Sequence, residues 1–139
     1  MSNPDLLLPD TNVLLRYLLD DEPALAKKAR DFWDTVRDGS ARAVLTEGVL
    51  MECVYVLQRF YKVPRDRIAA ALAAVLAYKG LSREDSSLFD RALEAYSRTN
   101  LDFVDCLLAA RQEAGEGRVL SFDQGLNGYL NRRTAKKST

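Results

Sequence analysis

The chain has 139 residues, 47% of them hydrophobic and 29% charged, with 20 basic side chains balancing 20 acidic ones. That composition suits one soluble globular domain with a real core and excludes a disordered or fibrous chain. Zero net charge excludes nucleic-acid binding by bulk electrostatics, and the absence of histidine excludes His-based triads and the usual zinc sites. Leu6-Leu7-Leu8 is a short apolar run that periodicity alone leaves ambiguous. Pro9, which lacks an N–H and interrupts helices, favours a strand that ends there. Asp10-Thr11-Asn12 opens a helix through Val13, Leu14, Tyr17 and Leu18, which Asp20-Asp21-Glu22-Pro23 breaks. Ala24 to Val36 is a second, amphipathic helix with Leu25, Ala29, Phe32, Trp33 and Val36 on one face, ended by Gly39-Ser40.

Ala43-Val44-Leu45 reads as a second short strand, with Thr46 as N-cap of a helix from Glu47 to Tyr61. That helix is apolar on most sides and is expected to be largely buried. Pro64 starts an alanine-rich helix that runs to Tyr78 and stops at Gly80. Leu81-Ser82 is a candidate edge strand, Ser86 to Tyr96 a helix, and Asn100-Leu101-Asp102 leads into a helix through Gln112. Arg118 to Phe122 is a predicted strand closed by Asp123, followed by a short helix from Leu126 to Leu130. Short strands alternating with helices predict an α/β fold with a parallel sheet and helices on both faces. Residues 1–131 form one domain in this reading, and 132–139 a basic, polar tail that is expected to be frayed and flexible.

In such folds ligands bind outside the carboxyl ends of the strands. Asp10 and Asp123 follow predicted strand ends, and Thr46 marks the same rim. Glu52 lies on the helix expected to turn Val49, Cys53, Val56 and Phe60 inward, where a lone carboxylate is costly unless paired or metal-bound. Its bland alternative is a salt bridge to Arg16 or Arg111. Asp102 and Asp105 share a helical face, Asp102 as N-cap and Asp105 as the better ligand candidate. Asp10 and Asp123 also read as a cap and a turn residue. Converging carboxylates without imidazole point to a hard divalent cation and phosphodiester hydrolysis. Cys53 and Cys106, far apart in sequence, read as reduced, buried small hydrophobes.

Four stretches, in order and spanning nearly the whole chain, resemble the motifs of PIN-domain nucleases, especially VapC toxins of toxin–antitoxin pairs. They are Pro9 to Leu18, Thr46 to Glu52 with Val56-Leu57, Leu101 to Ala110, and Val119 to Asp123. Ser121 stands where many members carry Thr. The resemblance implies a three-layer α/β/α sandwich around a mostly parallel sheet and a Mg²⁺-dependent endoribonuclease, with Mn²⁺ as a substitute. It assigns Asp10, Glu52, Asp105 and Asp123 as the catalytic quartet and Asn12, Thr46, Ser121 and Asp102 as supporting residues. The metal is expected on Asp10, Asp105 and Asp123. The implied partners are RNA, a cognate antitoxin and a second copy of the chain.

Substrate contacts are less legible. Arg16 is the candidate within the motifs; Arg59, Lys62, Arg65, Arg132, Arg133, Lys136 and Lys137 are basic candidates outside them. Tyr17, Phe60, Tyr61 and Tyr129 offer rings for unpaired bases, with core packing as their plainer use. The helices from 24 to 36 and from 64 to 78 are candidate surfaces for a dimer partner or antitoxin. No apolar run reaches bilayer length and no secretory leader is read, so a cytoplasmic location is expected. Three other readings compete, one of them a catalytically idle scaffold, which the intact quartet disfavours. A PIN nuclease of RNA processing or structured DNA would share the site, whereas a receiver-type signalling domain would need an acidic pair and a late Lys that this chain lacks.

Overall fold

The computed structural model describes residues 5–138, with side chains through residue 135. The expectations for the extreme N-terminus and for the Lys136 and Lys137 side chains lie outside that range. Each strand is short because a helix-starting residue follows it almost at once. Strand β1 (Leu6–Leu7) leads into α1 (Thr11–Leu19), whose N-cap Asp10 accepts a bond from the Val13 N–H. Helix α2 (Pro23–Asp38) starts on a proline, whose missing N–H costs nothing in a first turn. It ends where Gly39 takes φ +89°.

Strand β2 (Arg42–Ala43) lies parallel to β1, with Leu6 opposite Arg42 and Leu7 opposite Ala43. A parallel bridge from Ala43 to Leu81 extends the sheet on the far side of β2. Gly80 is required there, because a Cβ at this position would stand 2.0 Å from the Ala41 carbonyl oxygen. The remaining helices are α3 (Glu47–Arg59), α4 (Arg65–Leu76), α5 (Ser86–Arg98), α6 (Phe103–Glu113) and α7 (Gln124–Ser138). Among the described residues the order is thus α/β with a small parallel sheet, as expected from the alternation.

Packing centres on Trp33, which is fully buried, stacks on Tyr17 at 5.8 Å and donates its indole N–H to the Val13 carbonyl at 3.1 Å. Tyr17 and Tyr78 share a hydroxyl–hydroxyl bond of 2.5 Å, fastening α1 to the end of α4. On the other side Tyr96 is buried against Phe103 and donates to Gln58 at 2.6 Å, which ties α5 to α3. Cys53 and Cys106 are free and buried, as expected, and burial pushes their thiols up to about 12 and about 11.

Three expectations need correction. The expected strand from Arg118 to Phe122 is unpaired, with Leu120 90% and Phe122 99% exposed. Among the described residues no neighbouring backbone pairs with it; instead the Val119 N–H donates to the Gln112 side chain at 2.8 Å. Helix α3 is half-exposed rather than mostly buried. Leu50, Cys53, Val54 and Leu57 face the core, while Glu52, Tyr55, Arg59 and Phe60 face solvent. The final helix also begins earlier and runs further than expected, to Ser138.

Candidate active site

Four helices begin at residues of the predicted acidic motifs, and their first turns explain where each side chain sits. At α1, Asp10 Oδ1 accepts the Val13 N–H at 3.0 Å, leaving its second oxygen free of that bond. Asn12 is exposed one position into the same helix. At α3, Thr46 Oγ1 caps the Val49 N–H at 3.4 Å. At α7, Asp123 Oδ2 accepts the Leu126 N–H at 2.7 Å, and the Asp123 N–H donates to Ser121 Oγ at 3.0 Å. Helix starts favour such carboxylates because unpaired N–H groups and the macrodipole put positive potential there.

Helix α6 differs. Asp102 occupies the N-cap position without a side-chain cap bond, and Asp105 lies in the first turn, half-buried. Burial raises the Asp105 carboxyl above its ordinary range, and the charges of Asp102 and Asp123 raise it further. Asp102 and Asp123 thus both act on Asp105 through their charge. Asp10 and Glu52 add no comparable charge to Asp105. Among the described residues, no three His, Cys, Asp or Glu side chains stand ready as a metal cage. The donors fit a hard divalent cation in kind, all being carboxylate oxygens, but their spacing does not close around one.

Glu52 is not the buried, charge-starved residue expected. It lies on the exposed face of α3 with Tyr55 and Arg59. Neither proposed ion pair forms: Arg111 bridges Glu47 and Glu116, and Arg16 bridges Asp21 at 2.7 Å and Glu22 at 3.7 Å. Arg16 also donates to the Tyr61 hydroxyl at 3.5 Å.

Two other basic candidates are likewise engaged. Arg133 pairs with Glu113 at 2.7 Å. Arg65 is a structural cation: it lies 3.7 Å from the Tyr96 ring centroid, donates to the Tyr96 carbonyl at 2.8 Å and donates to the Leu101 carbonyl. Tyr17 and Tyr129 pack against the core, whereas Phe60 and Tyr61 are exposed.

Sequence reasoning missed one residue that shapes the site, Asn127, and read another, Arg65, only as a candidate phosphate contact. Arg65 fixes the loop that presents Asp102, and nothing in its local pattern distinguishes it from a surface cation. Asn127 donates its side-chain amide to the Ser121 carbonyl at 2.9 Å, and its backbone N–H bonds the Asp123 carbonyl at 3.0 Å. Its spacing of four from Asp123, one helical turn, was the available signal.

A family model described as PIN domain matches residues 7–129. A curated relative, "VapC ribonuclease" of Aquifex aeolicus (strain VF5), is 28% identical over 116 residues, covering 83% of this chain and 85% of that protein. No solved structure gives a significant match.

Proposed function

Because this chain belongs to the PIN-domain family, we propose that it is a metal-dependent endoribonuclease and the toxin of a toxin–antitoxin pair. One observation supports this most: Asp105 is held above its ordinary range by burial and by the charges of Asp102 and Asp123, at the starts of α6 and α7. Crowded carboxylates repel each other and repel RNA, and a bound divalent ion reverses that local sign. The similarity to a protein named VapC ribonuclease agrees with an RNA substrate and an antitoxin partner.

In this reading Asp10, Asp105 and Asp123 hold Mg²⁺ or Mn²⁺, and Asp10, Glu52, Asp105 and Asp123 are the catalytic set. When bound, such an ion neutralises phosphate charge and acidifies a coordinated water. Asp105, half-buried and held above its ordinary range, supplies a carboxylate whose charge a bound cation would offset. Glu52, exposed on α3 and free of Arg16 and Arg111, orients the attacking water. Ser121 and Asn127 hold the turn that aims Asp123, while Thr46 fixes the start of the helix carrying Glu52. Asn12 and Asp102 line the rim, and Arg16 meets a phosphate after leaving Asp21. The complete fold is a three-layer α/β/α sandwich, working as a cytoplasmic homodimer that the antitoxin silences.

Attack by water leaves 5′-phosphate and 3′-hydroxyl ends. Attack by the ribose 2′-hydroxyl leaves a 2′,3′-cyclic phosphate and usually draws on an imidazole, which this chain lacks. The test is cleavage of single-stranded RNA and single-stranded DNA by purified protein, with Mg²⁺ or with chelator, followed by analysis of the ends. Cyclic phosphate ends, or undiminished cleavage in chelator, would refute the mechanism.

A further inference from the structure

We propose that the cleft between α5 and α7 is a phosphate-binding track for single-stranded RNA beyond the acid site, with Arg91, Arg98 and Arg133 as its phosphate contacts. The inference deepens the nuclease reading above and rests on it for the identity of the strand.

The cleft has two walls and a floor. Arg91, Glu94, Ala95 and Arg98 recur at the three- and four-residue spacings of one helix face, so they form a single wall on α5. Ala95 is small and buried, which leaves depth between the two guanidiniums. Tyr129 and Arg133, one turn apart on α7, form the facing wall across a space of about 540 Å³. Leu126 and Leu130 seat that wall on Ala109 of α6.

Charge decides what such a cleft takes. Its three arginines face two carboxylates, Glu94 and Glu113. Arg98 pairs with Glu94 at 3.1 Å, and Arg133 commits Nε and Nη2 to Glu113, each at 2.7 Å. Arg91 is exposed and forms no ion pair among the described residues. A guanidinium carries five N–H donors, so Arg98 and Arg133 keep donors for a phosphate without leaving their carboxylates. The chain as a whole is neutral, so this excess of positive charge is local. Burial raises the Tyr129 phenol above its ordinary range, with Arg133 opposing and Glu113 and Glu94 adding to the rise. The hydroxyl therefore stays protonated and can donate to the strand.

The path begins at the acids. Helices α6 and α7 run side by side: Asp123 acts on Asp105 at their starts, and Arg133 meets Glu113 further on. Arg133 follows Asp123 by ten residues, about 15 Å of helix. Arg98 precedes Asp102 by four residues, and α5 folds back on α6 across that short loop. Arg98 thus stands at the acid end of the cleft and Arg91 two turns away from it. A strand whose phosphate sits at the carboxylates meets a line of cations as it leaves them. That continuity favours RNA over an acidic peptide, which has no reason to start at the acids.

Arg91 is the clean probe, because it has no ion pair to lose. Cleavage of a long single-stranded RNA, and of a short one covering only the acid site, is measured with Mg²⁺ across a range of salt. Arg91→Glu/Arg98→Glu should raise KM for the long RNA about tenfold and leave kcat, and KM for the short RNA, unchanged. Arg91→Gln should flatten the slope of log KM against log salt by about 0.7, and Arg91→Lys should keep it. Fluorescence anisotropy of the labelled long RNA in chelator, with poly-glutamate as competitor, reads binding without cleavage. Equal KM for the double variant and the wild type overturns the track and leaves the nuclease reading intact. An equal fall of kcat on both RNAs also overturns it, since the arginines would then serve the fold or the chemistry. Arg91-dependent RNA binding with no metal-dependent cleavage supports the track and removes the nuclease reading. Binding of poly-glutamate in place of RNA overturns the track, and neither binding nor cleavage of RNA removes both readings.

Discussion

Two runs in this chain share one local grammar: Leu7-Leu8-Pro9-Asp10 and Leu120-Ser121-Phe122-Asp123 each lead from apolar residues into an acid that caps a helix. The first is laddered to β2, and the helix it introduces, α1, buries Leu14 and Leu15 and packs against α2 and α3. The second has no strand ladder among the described residues, accepts the Asn127 side-chain amide at the Ser121 carbonyl and holds two large apolar groups in water. The local pattern decides that a strand can form; a partner with a free edge and an electrostatically tolerable register decides whether it does.

The sharpest break between the two regions is expected in catalysis. Asp123→Asn keeps the cap geometry at Leu126 through its side-chain oxygen but removes the charge a cation would need. Cleavage should fall on the order of a thousandfold, about 4 kcal/mol of barrier. Metal-dependent RNA cleavage near the wild-type rate in that variant would detach Asp123 from the chemistry. Its melting temperature should stay close to that of the parent, which separates the loss from misfolding.

Stability should divide the regions in the opposite direction. Leu14→Ala opens a cavity beneath α1 in a side chain with no exposure and should cost about 3 kcal/mol. Phe122→Ser, at 99% exposure, should change the metal-free fold by no more than about 0.5 kcal/mol. Urea unfolding in chelator measures both. A large loss from Phe122→Ser would mean that the ring is already buried in solution and the comparison misdrawn.

What was legible in the sequence follows the same division. Asp10 and Thr46 were readable as helix starts because a cap is a local device, set by one side chain and an N–H three residues on. The Gly39 stop was readable for the same reason, whereas α4 ends at Leu76 with Ala77 as its C-cap, short of the expected Tyr78 and Gly80. The electrostatic grouping of Asp102 with Asp105 followed from their helical spacing. Burial of Glu52 was misjudged because neighbouring Met51 and Val54 are apolar but stand on other faces of α3; helix phase, not neighbourhood, decides exposure. The partners of Arg65 were illegible because it reaches 31 and 36 residues along the chain to two carbonyls. No local pattern encodes such contacts.

Arg65 itself gives an intermediate effect. Removing its guanidinium leaves the Tyr96 and Leu101 carbonyls without that donor and strips the cation from the Tyr96 ring, a loss of roughly 2 kcal/mol for Arg65→Ala. Arg65→Lys should recover only part of it, because an ammonium cannot serve both carbonyls from one plane. Thermal unfolding of the two variants checks the ranking. Equal stability of wild type, Lys and Ala proteins would return Arg65 to the pool of candidate phosphate contacts.

The smallest expected effect probes the charge at the crowded end. Burial, then Asp102, then Asp123 raise Asp105 above the ordinary value of 3.8, so the fold holds that proton to higher pH than the unfolded chain does. Below the ordinary value both states are protonated and the crowding costs nothing. As pH rises from there through the raised pKa, the unfolded state ionises first and wild-type stability falls; above it the penalty is constant. Asp105→Asn has no such charge. In chelator it should therefore match the wild type under acid conditions and exceed it by roughly 0.5 kcal/mol at neutral pH, a small margin because water screens a half-buried group. Mn²⁺ should reverse the order, stabilising the wild type and not the variant. Denaturation across that pH range, with and without Mn²⁺, measures both. A variant no more stable at neutral pH would mean that the three acids do not strain one another, and the need for a cation at that end would lose its physical basis.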